Sequence, residues 1–150
     1  MWKEKLNEII KEKKIYGEKI NIGATTEEIN AIIDEIHKEL NLSIPSGYIK
    51  ILEVVNGLEF NGFILYGIDE CLLRHQPNQN IYGLSEYNQI WHENGWHDDY
   101  FFIGEGNISW YVYDLKRRQY IELDNPSGRE AAVFSNIEDM VEKILGDALL

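Results

Sequence analysis

The chain has a single cysteine, Cys71. No disulfide can form within it, so its stability must come from a packed core. That economy fits a reducing compartment. Basic residues are scarce as well: 14 Lys and Arg stand against 26 Asp and Glu, a net charge of −12. Proteins hold nucleic acid by replacing phosphate counterions with Lys and Arg, so DNA and RNA are not expected partners. No run approaches the roughly 20 apolar residues of a membrane span. The opening MWKEKLNEIIKEKKIYGEKI has no apolar signal-peptide core and no small-residue cleavage site. A soluble, cytoplasmic protein without membrane contact is expected.

Catalytic and metal chemistry are thinly supplied. The four histidines are His37, His75, His92 and His97. HENGWH sets His92 and His97 five residues apart across a glycine, a spacing that does not share one helical face. A zinc site needs three or four convergent ligands, so no metal is expected. Cys71 precedes His75 by four residues, but Asp69 and Glu70 stand beside it, and nearby acids raise a thiol pKa when catalysis needs it lowered. No nucleophile elbow, P-loop or dinucleotide fingerprint is present. GEGNIS (104–109) has two glycines but no phosphate-loop lysine, and it reads as a hairpin turn. Asp98 and Asp99 are adjacent, so on a strand they would point to opposite faces. Neither enzymatic activity nor a cofactor is expected.

The 150 residues suit one domain. Trp2, Leu6, Ile9 and Ile10 predict an amphipathic helix at the N-terminus. A second helix follows, where Thr25 and Glu28 match a capping box and Ile29, Ile32, Ile33, Ile36 and Leu40 line one face. Pro45 opens a third, which carries Tyr48, Ile51, Leu52 and Val55 and is expected to stop at Asn56-Gly57. Asn61-Gly62 lies between LEF and FILY and predicts a two-residue type I′ hairpin. Residues 69–83 read as irregular. SEYNQIWHENG predicts a helix begun by Ser85 and ended near Gly95. YFFIGEG, ISWYVYDL, RQYIEL and AAVF read as strands. A last helix has Ser135 and Glu138 at capping-box spacing and buries Ile137, Val141, Ile144 and Leu145. There is no regular βαβ alternation, so the fold class is α+β, with a mainly antiparallel sheet flanked by helices.

Charge and aromatics gather in the middle of the chain. Residues 41–114 hold 2 basic and 10 acidic side chains. Eleven of the 18 aromatics fall between Tyr82 and Tyr120. In WYVYD, Trp110 and Val112 share one face and Tyr111 and Tyr113 the other, so one set should face outward. Aromatics interleaved with acids suit a surface that receives Arg and Lys. Glu86, Trp91, Glu93, Trp96, Asp98, Asp99, Glu105, Trp110 and Asp114 are the expected contact residues.

The stretch IPSGYIKILEVVNGLEFNGFILYG resembles the signature of the SUKH superfamily, the Smi/Knr-type proteins. Its Ile44-Pro45, Tyr48, Asn56-Gly57 and Asn61-Gly62 match the order of that pattern. FFIGEGNISWYVYDL resembles the family's strand pair, with Gly106-Asn107 where Gly-Asp is commoner, and AAVFSNIEDMVEKIL resembles its closing helix. The resemblance covers most of residues 26–146; residues 1–25 add a helix and a connection. It implies a mixed sheet flanked by helices and no enzymatic activity. It also implies a toxin-immunity role: binding and neutralising a cognate polymorphic toxin, often a basic nuclease domain, encoded by the adjacent gene. A regulatory scaffold for an endogenous partner is the other role the family implies. The nine contact residues come from composition, not from the resemblance, and whether the chain forms a homodimer is left open.

Overall fold

The computed structural model describes residues 1–73, 81–93, 95 and 98–150. Helix α1 (Trp2–Ile15) buries Trp2, Leu6, Ile9 and Lys13 along one stripe. Helix α2 (Thr26–Leu40) starts in the expected capping box: Glu28 N donates to Thr25 Oγ1 at 3.1 Å and Thr25 N to Glu28 Oε1 at 2.9 Å. Helix α3 (Ser46–Val54) begins directly after Pro45. Its Tyr48 is fully buried, and the hydroxyl donates to the Tyr66 carbonyl.

α3 does not end as the sequence suggests. Val55 is already extended, so Asn56-Gly57 lies beyond the helix and is not its cap. Asn56 is instead a buried junction. Its side chain accepts from Ile68 N at 2.8 Å, and its carbonyl accepts from Asn21 Nδ2 at 3.1 Å. Side-chain bonds to distant backbone fix this turn, and local periodicity does not reveal them. The second Asn-Gly is the expected hairpin. Asn61 and Gly62 have φ of 50° and 84° between paired Phe60 and Phe63, which is type I′ geometry.

Among the described residues six strands follow in chain order. They are β1 (Leu58–Phe60), β2 (Phe63–Leu65), β3 (Tyr100–Glu105), β4 (Ser109–Asp114), β5 (Gln119–Asp124) and β6 (Glu130–Phe134). Each pairs antiparallel with the next in an open meander. The expected α+β class with a mainly antiparallel sheet is what forms. Among the described residues the parallel pairing is an isolated bridge between Gly67 and Gly83. A short 3-10 turn (Glu70–Leu72) and helix α4 (Leu84–His92) come between β2 and β3, and helix α5 (Ile137–Ala148) closes the fold. α5 buries Ile137, Met140, Val141, Ile144 and Leu145. Its cap is Asn136, which accepts from Asp139 N at 2.9 Å, one residue after the expected Ser135.

The aromatic strands are filled on both sides. Phe102 and Trp110 lie on the face covered by α4, against Trp91. Tyr111 is buried on the opposite face, which α5 approaches, and Tyr113 lies on that face against Tyr120. Neither alternation of WYVYD faces solvent, because helices cover the sheet on each side. Among the described residues, no helix is long and apolar enough to cross a membrane.

Candidate partner-binding surface

Helix α4 carries the densest group of expected contact residues, and three long-range devices place it. The first is at its start. Ser85 is buried and does not cap the helix; Gly83 occupies the N-cap. The capping oxygens come from Asp69, sixteen residues upstream of Ser85: Oδ1 accepts from Ser85 N at 2.9 Å and Oδ2 from Glu86 N at 3.0 Å. A carboxylate here satisfies two orphan N–H groups and suits the positive end of the helix dipole. A Cβ on residue 83 would sit 2.1 Å from Asp69 Oδ2, so a side chain there would displace the capping carboxylate.

The second device joins the same segments through backbone. Gly67 N donates to Tyr82 O at 2.9 Å and Leu84 N to Gly67 O at 2.7 Å. The third is Asn88, fully buried on the inner face of α4. Its Nδ2 donates to Leu84 O and Phe102 O, each at 2.9 Å, and its Oδ1 accepts from Phe102 N at 2.8 Å. That fixes α4 to β3 beside the bulge between Phe102 and Gly104. Removing the external cap should loosen α4 without touching the core: Asp69→Ala is expected to cost about 1–2 kcal/mol, measured as a lower urea midpoint.

One flank of α4 is aromatic. Tyr87 and Trp91, one turn apart, are half-buried. Tyr87 stacks on buried Tyr66 with centroids 5.0 Å apart and 17° between planes, and Tyr82 meets it edge-on at 5.8 Å. Trp91 Nε1 donates to the Tyr66 hydroxyl at 2.9 Å. The half-buried Glu105 carboxylate lies close to that hydroxyl. Burial pushes the Glu105 carboxyl above its ordinary pKa, and the nearby Tyr66 hydroxyl offsets part of that rise. Burial also raises Tyr87, with the Glu86 and Glu105 charges adding to it.

The other flank is acidic. Glu35 of α2, Asp69, Cys71, Glu86, Ile90 and Glu93 line an open groove of about 370 Å³ between α2, the 3-10 turn and α4. A second hollow of about 220 Å³ shares Asp69, Cys71 and Glu86 with it and adds Glu70 and Ile81. No Lys or Arg among the described residues lines either one. Ile90 is 42% exposed, an apolar side chain among carboxylates.

The nine expected contact residues therefore separate. Glu86 and Glu93 are exposed together along α4. Trp91 and Glu105 meet around Tyr66. Asp98 and Asp99 are exposed beyond the helix; Asp98 lies 3.8 Å from His92 Nδ1 and Asp99 3.3 Å from Lys116 Nζ. Trp96 lies outside the described residues. Trp110 and Asp114 do not belong to a surface. Trp110 is 5% exposed and packs edge-on to Trp91 at 5.6 Å. Asp114 is 6% exposed and accepts from Lys116 N and Arg117 N at 2.9 and 3.0 Å, organising the β4–β5 turn. Tyr82, Tyr87, Asp69 and Glu35 lie beside these residues and were not among those expected. The Tyr87–Trp91 spacing of one helical turn was a readable signal; the reach of Asp69 and Glu35 was not. Among the described residues, no group of His, Cys, Asp and Glu is arranged to hold a metal.

The family model for the SMI1 / KNR4 family (SUKH-1) matches residues 23–143. The match begins after α1 and takes in α2, α3, α4, the whole sheet and the first half of α5. No curated protein matches the chain.

Proposed function

Since the chain belongs to the SMI1 / KNR4 family (SUKH-1), which includes toxin immunity proteins, we propose that it neutralises a cognate toxin by stoichiometric binding. The partner is a basic protein domain, a nuclease by preference, and the acidic edge of α4 meets it. The observation that carries this reading is the groove beside α4. Glu35, Asp69, Glu86 and Glu93 line it with no cation among the described residues, on a chain of net charge −12. Carboxylates on an open surface attract a basic partner from a distance and hold it by charge-assisted hydrogen bonds. A nuclease must expose Lys and Arg to bind phosphates, so an acidic inhibitor competes for the same side chains as the substrate. Neutralisation then needs no catalysis by this chain.

The test is co-expression. Cells producing the toxin encoded beside this gene should survive when this protein is made and die when it is not. Death in both cases, with the protein folded and abundant, would remove the immunity reading.

A further inference from the structure

We propose that β6, the free edge of the sheet, pairs antiparallel with β6 of a second copy of the chain, so that two six-stranded sheets run on as one. An edge strand turns alternate backbone N–H and C=O groups away from its neighbour, and those groups accept another strand unless something blocks them. The two edges of this sheet differ in that respect. β1 has three residues, and the chain itself lies against it. Lys13 of α1, with Lys19 and Asn21 of the connection that follows, lines a small hollow against Leu58 and Glu59. Asn21 Nδ2 also donates to Gly57 O at 2.9 Å, and Asn56 N to Ile22 O at 2.9 Å.

β6 is open by comparison. It has five residues, and among the described residues no backbone group hydrogen-bonds it from outside the sheet. Its sequence, EAAVF, contains none of the lysines or prolines that usually guard an edge. Its one charge, Glu130, is engaged by Arg117. The register with β5 slips at Ala131, which leaves Ala132, Val133 and Phe134 regularly paired. Val133 stands opposite the buried Ile121 and is still 46% exposed, because no strand flanks it on the other side.

The occupant is a second copy because the edge complements itself. A two-fold axis at Val133 sets Val133 against Val133, Ala132 against Phe134 and Glu130 against Asn136. The exposed valine is then covered by its own counterpart, and β-branched pairs stabilise adjacent strands. No like charges meet. Arg129 comes beside the first turn of the second copy's α5, which carries Glu138 and Asp139, and the symmetry makes this contact twice. Arg129 and Glu138 are both exposed. Residues 115–150 hold 5 basic and 7 acidic side chains, so self-repulsion is weaker here than around the acidic middle of the chain. α4 rests on β3, three strands away from β6, so its acidic groove stays open in both copies. The contact is small, which makes the dimer a weak one.

The test is sedimentation equilibrium of the full-length chain from about 10 μM to about 1 mM. The mean mass should rise from 17.5 kDa toward twice that value. The amides of β6 should exchange more slowly with solvent as concentration rises, while those of β1 stay unchanged. Val133→Lys sets two like charges together at the axis and should weaken the dimer roughly tenfold or more; the native side chain is half exposed, so the fold should survive. Arg129→Glu alone and Glu138→Arg alone should each weaken the dimer, and the two combined should restore it, which a folding defect could not do. A chain that stays at 17.5 kDa throughout, or a dimer indifferent to Val133→Lys and to the charge swap, overturns the proposal. So does a monomer whose β6 amides are protected only when the product of the adjacent gene is added, which would assign the edge to a strand of that protein.

Discussion

Replacing Asn88 with alanine is expected to lower stability by about 3 kcal/mol, as the side chain supplies three buried hydrogen bonds in one place. Two of its partners are the N–H and C=O of Phe102, beside the bulge where β3 departs from regular pairing with β4. Alanine withdraws both partners, and a buried polar group that loses its hydrogen bond costs about 1–3 kcal/mol. At this chain length the loss should lower Tm by roughly 6–12 °C. The urea midpoint should fall with an unchanged slope, since the surface exposed on unfolding stays the same. Asn88→Asp separates hydrogen bonding from cavity formation. It keeps the size but sets an oxygen against the carbonyls of Leu84 and Phe102, so it should be about as damaging as alanine. A loss below about 1 kcal/mol in both variants would show that Asn88 does not fix α4 to the sheet.

The second large effect is on association. Reversing Glu86 and Glu93 to lysine together should slow binding of the basic partner by roughly 10- to 100-fold at low salt. Both side chains are exposed on one edge of α4, so stability should change by no more than about 0.5 kcal/mol. The kinetic effect should shrink to a few-fold near 1 M salt, where the screening length falls to about 3 Å. Reversing Asp98 and Asp99 is the comparison. Asp99 already faces Lys116, so that pair contributes less uncompensated field and its reversal should slow binding less. Equal effects from the two reversals would mean that overall charge steers the partner and the α4 edge does not.

Much of the scaffold was legible because it rests on local rules. The apolar stripes of α1, α2 and α5 repeat at helical spacing. The Thr25–Glu28 capping box is complete within four residues, and Asn61-Gly62 needs only two positive φ angles. What was not legible depends on distance along the chain. Asp69 caps a helix that Ser85 seemed to start. Asn56 binds Ile68 where it seemed to stop a helix. The last helix takes Asn136 as its cap, although Ser135 and Glu138 have the spacing of a box.

The site shows the same division. Glu86 and Glu93 are exposed, as acids on a polar helix edge ordinarily are. Trp110 was misplaced for a physical reason. Alternation assigns one side of a strand to solvent only when one face of the sheet is bare, and here α4 covers one face while α5 lies over the other. Asp114 was misplaced because a carboxylate beside a tight turn is as readily used to hold backbone N–H groups as to meet a partner. The aromatics of the central segment are mostly core, and Tyr82 and Tyr87 are among those left half-buried.

The central proposal is that the carboxylates beside α4 recruit a basic toxin. Its most direct measurement is kon for the full-length protein and the purified product of the adjacent gene, followed as ionic strength rises from about 0.05 to 0.5 M. The expected result is a one-to-one complex whose kon falls at least tenfold across that range, as electrostatic steering is screened. A kon that stays flat with salt, or the absence of any complex, would contradict it.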